Sequence, residues 1–213
     1  MISAPCSTAS SIRSLYLTAR FELGTLEYYL LVINAIGVLV YLINMLLYRH
    51  TVNGQIDVIV TIVSLLGGSA GMLLMILLFD RKAVKENMMS RVFIICIFII
   101  QIIILLIYKG HHAEHFTLAF WKFFVERRIL LIYLGIMNLV TFIVFAIDKA
   151  NACAHRSRIR IVTLLGLSFA GGSVGGLIAI YLLHHKTQKD YFTVGMPMII
   201  IMHVVVLFYV MNM

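Results

Sequence analysis

The sequence predicts an all-α integral membrane protein: six transmembrane helices forming two three-helix repeats, the second inverted relative to the first, with an interfacial linker helix between them. Three observations predict this class. Hydrophobic residues make up 62% of the 213 positions and charged ones 12%, with a mean hydropathy of +1.02; a soluble domain has roughly 45–50% apolar and about 25% charged. Apolar runs at 28–48, 56–79, 92–108, 129–147, 161–183 and 196–211 mostly reach the length of about 17–25 residues that a helix needs to cross hydrocarbon. Finally, Gly67-Gly68-Ser69-x-Gly71 recurs as Gly171-Gly172-Ser173-x-Gly175. The same gapless shift superposes Tyr29 on Tyr133, Leu30 on Leu134, Asn34 on Asn138, Ser64 on Ser168, Lys82 on Lys186 and Lys85 on Lys189, the self-similarity of a duplicated unit.

The chain divides accordingly into an N-terminal segment (1–27), a first repeat (28–108), a linker (109–128) and a second repeat (129–213). The first run follows a Ser-rich stretch containing Arg13 and Arg20, in which no secretory signal is readable, and no apolar h-region precedes Cys6 to make it a lipid-attachment site. The second and fifth runs carry the glycine motifs at their centres. The third begins behind Arg91. In the linker, His111, His112, Glu114, His115 and Lys122 surround Phe116, Phe120, Trp121, Phe123 and Phe124; this stretch is too short and too charged to span, and suits a helix in the headgroup layer. In the sixth run Pro197 can begin the helix and His203 interrupts it. Cys6, Cys96 and Cys153 are odd in number and lack motif spacing.

The net charge of +8 does not imply nucleic acid as a partner, because Lys and Arg sit between the apolar runs, where they set orientation and meet anionic lipid headgroups. A cytoplasmic N-terminus puts ten basic residues inside and seven outside. The loop after the first helix holds one basic residue in copy one and four in copy two, while the loop after the second helix holds four and two. That swap, and an odd number of spans per copy, is the basis for inversion.

Candidate functional residues are the polar and glycine positions within the spans. Gly67, Gly68, Gly171 and Gly172 fall at mid-depth, where small residues let helices approach closely. Glycines interrupting corresponding segments of two halves also point to a transporter's midplane site, with Ser69 and Ser173 adding hydroxyls. No proline flanks either motif, which favours continuous helices. Asn34 and Asn138 read as interhelical pins or substrate contacts, and Gln101 and His203 as further buried polar groups. Asp148 lies beside Lys149 at a helix end, either anchored to Arg156 or Arg158 or serving a cation or proton. His111 and His115 have the i, i+4 spacing of metal ligands, and His184 and His185 are candidates to join them. No metal or other cofactor is nevertheless expected, since the histidines form one loose cluster. No Ser-His-Asp set, Walker loop or GxGxxG is present.

From Asn138 onward the motifs are more specific: Phe145-x-x-Asp148-Lys149-Ala150, Arg158-Ile159, Gly171-Gly172-Ser173-x-Gly175, His185-Lys186-Thr187, Phe192 and Pro197. With them the second half resembles the DUF1294 family of small bacterial membrane proteins. The first half is a degenerate version, with Asn44 for the aspartate, Met45 for the lysine and Arg81 for the histidine. The resemblance implies a bacterial inner-membrane protein and transfers no activity. Two functions follow: a small inverted-repeat transporter or channel with its site at the paired glycine motifs, or a non-transporting structural or accessory protein associating with lipid, a second copy or another membrane protein. A His-metal membrane enzyme ranks third.

Overall fold

The computed structural model describes residues 24–50, 57–80, 87–110, 118–184 and 186–213, which contain helices and no strand. Among the described residues six segments are long and apolar enough to cross a membrane: Thr25–Leu47, Asp57–Leu78, Met88–Tyr108, Arg128–Cys153, Ile161–Leu182 and Asp190–Met211. The first, third and fourth lie in the unbroken helices α1 (Thr25–His50), α4 (Met88–Tyr108) and α6 (Arg128–Cys153). A short α5 (Phe120–Glu126) precedes α6, with Phe123 buried and Trp121 exposed. That partition suits the interfacial helix expected there.

The second and fifth segments each consist of two helices joined by a five-residue turn. Helices α2 (Asp57–Val63) and α3 (Ser69–Leu78) meet at Ser64–Gly68, where Gly67 has φ 120° and ψ −3°. Helices α7 (Ile161–Leu167) and α8 (Ser173–Leu182) meet at Ser168–Gly172, where Gly171 has φ 112° and ψ 0°. Only glycine adopts that backbone without strain. The expectation of continuous helices is therefore corrected: a proline is unnecessary when a glycine can turn the chain.

The turns reverse direction. Asp148 of α6 accepts a hydrogen bond from the Ile159 N–H, just before α7, at 2.8 Å, and holds Lys186 Nζ, just after α8, at 2.6 Å. Lys149 Nζ donates to the Leu183 carbonyl at 2.5 Å. A straight helix would separate Ile159 from Leu183 by about 36 Å. Bonded to adjacent residues of one helix, they stand no more than roughly 20 Å apart, the summed reach of the side chains and bonds. In addition, Ser168 Oγ lies 3.3 Å from the position of a Cβ on Gly176, although eight residues of helix would advance about 12 Å.

The first half folds back in the same way. Asp57, opening α2, accepts a hydrogen bond from Ser90 Oγ at 2.7 Å, while Asp80, after α3, pairs with Arg91 at 3.1 Å and accepts from Asn87 Nδ2 at 2.9 Å. Both ends of the second segment thus meet the first turn of α4. Each hairpin leg is about 10–15 Å long, half of a hydrocarbon core of about 30 Å. Each half consequently has two full-length helices and one half-depth hairpin.

This removes the premise for inversion, since the number of full passes per half is two and not three. The last helices agree. In α10 (Gly195–Met211), which follows the single turn α9 (Asp190–Thr193), Gly195 sits near Val92 at the start of α4. Met88, Val92 and Cys96 share one core with Phe192, Met196, Ile199 and Met202. Helices α4 and α10 therefore run in the same direction, side by side, whereas inverted halves would oppose them. A second core, of Tyr41, Val60, Met72, Met75, Ile76 and Ile94, fills the first half around its hairpin.

Candidate functional site

The two glycine turns are held by matching bonds 104 residues apart. Tyr29 Oη donates to the Leu66 carbonyl at 2.7 Å, as Tyr133 Oη does to Ala170 at 2.7 Å. Asn34 Oδ1 accepts the Gly71 N–H at 2.7 Å while its Nδ2 donates to Leu30 O at 2.8 Å. Asn138 repeats both bonds, to Gly175 N–H and Leu134 O, at 2.7 and 2.8 Å, and adds the Gly171 carbonyl at 3.0 Å. The asparagines thus supply the partner that a helix starting at mid-depth lacks. Their backbones lie close: a Cβ on Gly71 or Gly175 would run into the Asn34 or Asn138 carbonyl oxygen, and one on Gly172 into Thr141 Oγ1. Close approach and chain reversal are thus divided between neighbouring glycines of one motif.

The third helix of each half adds one polar bridge across its turn. Gln101 accepts from Ser69 Oγ and donates from Nε2 to Ser64 O at 2.7 Å and Leu65 O at 3.2 Å. His203 places Nδ1 3.0 Å from Ser173 Oγ and Nε2 3.0 Å from Phe169 O. A carbonyl cannot donate, so Nε2 carries the hydrogen and Nδ1 accepts from Ser173 in the neutral ring. The 104-residue shift places Ile99, not Gln101, opposite His203. Gapless alignment therefore misses this equivalence, which only the shared partners Leu65 and Phe169 reveal.

Asp148 is fully buried. Its ionic partner is Lys186, not the expected Arg156 or Arg158, both of which are exposed. Lys186 also lies over the Phe192 ring at 5.0 Å. One carboxylate therefore clasps both hairpin legs, taking a backbone N–H from one and an ammonium from the other. In the first half Asn44 is buried at the position equivalent to Asp148, and the acid has moved to Asp80. Besides Arg91 and Asn87, Asp80 receives the Tyr41 hydroxyl at 2.8 Å. The sequence held a signal for this clasp, an acid directly after one apolar run and an arginine directly before the next. His184 is exposed, and His111, His115 and His185 lie outside the described residues.

A cavity of about 570 Å³ opens at the end of the first half away from the hairpin's two legs. Leu26, Leu30, Ile102 and Leu105 line it, with Glu27 and Lys109 also in its wall. Leu30, which lines the cavity, also packs against the glycine turn, its Cδ2 3.5 Å from the position of a Cβ on Gly67. Comparison with curated proteins and with solved structures finds no match. Residues 138–192 match the model of the family described as "Protein of unknown function (DUF1294)". That stretch runs from the Asn138 pin through the second hairpin to Phe192, so the similarity to this family covers the part of the second half that turns the chain back.

Proposed function

We propose that the protein is a small bacterial inner-membrane carrier made of two copies of one unit in the same orientation, with the glycine hairpins as gates. The observation that carries this reading is the vestibule, one of whose lining side chains, Leu30, packs against the Gly67 turn. Gly67, Gly68 and Ser69, with their counterparts Gly171, Gly172 and Ser173, form the gate where the carrier's midplane site was expected. Their neighbouring carbonyls and N–H groups are taken up by Tyr29, Asn34, Gln101, Tyr133, Asn138 and His203. A substrate gains those groups only when a hairpin moves. Polar bonds within membranes average about 0.6 kcal/mol, so the few holding one turn total about 2–3 kcal/mol. A released state would be populated at roughly 1%, within the range of functional minor states.

The apolar wall together with Glu27 and Lys109 suits an amphiphile with a charged head. Orientation follows from charge. Arg13, Arg20, Lys109, Lys122, Arg127 and Arg128 belong to the segments at the vestibule end, and the other eleven of the 17 Lys and Arg belong to those at the hairpin-leg end. The hairpins then enter from the cytoplasm and the N-terminal segment is extracytoplasmic, the reverse of the orientation that six passes imply.

The test uses proteoliposomes containing a fluorescent, dithionite-quenchable phosphatidylethanolamine. Wild type accelerates its movement between leaflets and Gly67→Val slows it. A folded wild type no faster than protein-free liposomes overturns the carrier. The second reading, a static scaffold that contacts lipid or a partner, is favoured by the internal pairing of the turn groups, and is supported if transport is absent and a stoichiometric membrane partner co-purifies.

A further inference from the structure

We propose that Ser173 is a nucleophile for acyl transfer and that His203 is its general base, an activity separate from carriage. Three features of this pair match the chemistry. The hydroxyl and Nδ1 are 3.0 Å apart, within the reach a base needs to take a serine proton. The Phe169 carbonyl, 3.0 Å from Nε2, fixes the tautomer that leaves Nδ1 unprotonated and facing the hydroxyl. This is the orienting role of the third member of a catalytic triad, and the carbonyl's dipole also favours the imidazolium that forms. Ser173 also opens the ten-residue helix α8 directly after a reversed glycine turn. There the positive end of the helix favours an oxyanion, in a Gly-x-Ser-x-Gly setting that presents a serine on a sharp turn.

The first half supplies an internal control. Ser69 occupies the equivalent place after Gly67-Gly68, and its bridging partner is Gln101. An amide completes the same hydrogen-bonded brace and cannot accept a proton at neutral pH. Bracing therefore does not require an imidazole, and the second half has one.

The substrate class is an acyl ester dissolved in the bilayer. Ser173 is buried, His203 is partly exposed, and the neighbouring Val174, Ile201 and Val204 are exposed on the apolar exterior, so the carbonyl arrives from the lipid side. Ser173 Oγ forms a bond to the carbonyl carbon as its proton passes to His203 Nδ1. The bond to the leaving alkoxide then breaks, and that oxygen takes the proton from Nδ1. Water attacks the acyl-serine, again losing its proton to Nδ1; the carboxylic acid leaves and Ser173 is reprotonated. The sum is ester plus water giving acid plus alcohol.

The experiment treats the full-length protein in lipid nanodiscs with a fluorophosphonate probe and locates the adduct by peptide mass spectrometry. Labelling is expected on Ser173 and not on Ser69, to vanish in Ser173→Ala, and to fall at least tenfold in His203→Gln. The glutamine keeps a bridging group of the kind that works in the first half. Unchanged thermal stability of His203→Gln then separates lost chemistry from lost structure, and His203→Asn serves as a second variant if His203→Gln does not fold. An unlabelled Ser173 in folded wild type overturns the proposal, as does equal labelling in a folded glutamine or asparagine variant.

Discussion

Replacing Asp148 by Asn tests the clasp on the second hairpin. The carboxylate is fully buried, Lys186 Nζ is 2.6 Å away with its side chain only 14% exposed, and the Ile159 N–H depends on the other oxygen. Removing one member of a buried pair costs about 3–5 kcal/mol, because the remaining charge is left without compensation. The amide oxygen that Asp148→Asn introduces can still accept from Ile159, so the loss falls mainly on Lys186. Asp148→Ala removes that acceptor as well and adds about 1–3 kcal/mol for an unsatisfied N–H. Lys186→Met alone strands the carboxylate and is similarly damaging, but combined with Asp148→Asn it leaves no buried charge. The double variant is expected to recover most of the loss, with a coupling of at least about 2 kcal/mol. Denaturant titration of the protein in detergent micelles, followed by tryptophan fluorescence and circular dichroism, measures each corner of the cycle. A cost below about 1 kcal/mol for Asp148→Asn, or additive single losses, would refute the clasp.

The glycines separate by environment. Gly71→Ala and Gly175→Ala drive a Cβ into a carbonyl oxygen and are expected to lower stability by about 1–3 kcal/mol, whereas Gly135→Ala and Gly166→Ala meet nothing within 4 Å and are expected to be neutral or to stabilise by up to about 1 kcal/mol; thermal unfolding of the four variants decides. Gly67→Ala and Gly171→Ala force a left-handed backbone on an L residue, expected to cost about 1–2 kcal/mol, and loss of less than half that in both would mean the turn relaxes to a helix. Tyr133→Phe leaves the Ala170 carbonyl without its 2.7 Å donor; faster amide exchange confined to the second turn is expected, with a global loss of about 1 kcal/mol. Single cysteines at Asn53 and Arg156 are expected to react with an impermeant maleimide from the same side of the membrane, in a chain whose native cysteines are replaced; labelling from opposite sides would restore inversion.

Much of the architecture is legible in the sequence alone. The six apolar segments, the shift of 104 residues and the positions needing glycine all follow from hydropathy and identity. The fold-back did not, because a span of about 22 residues and two half-length legs have the same length and hydropathy. What distinguishes them is where the ends are fastened. Asp57 and Asp80 bind residues 87–91 together, and Asp148 binds residues on both sides of one segment; such long-range pairings leave no local periodicity. Sequence proximity points Asp148 to Arg156 and Arg158 in the nearest loop, whereas the fold-back brings Lys186 to it. The Ser173 and His203 pair stayed hidden because its first-half counterpart is chemically different and displaced by two positions. Asn34 and Asn138, expected as interhelical pins or substrate contacts, each accept a backbone N–H of the neighbouring hairpin, since an amide within hydrocarbon has to find partners.

The reversal of the second and fifth segments is the central claim, and a distance across one of them tests it most directly. Spin labels on cysteines replacing the exposed residues Val58 and Phe79, in a chain without its native cysteines, report the separation of the ends of the first hairpin by double electron–electron resonance in nanodiscs. The account predicts a backbone separation of about 20 Å or less, before label length. A distribution centred near 32 Å, the rise of about 21 residues of straight helix, would contradict it.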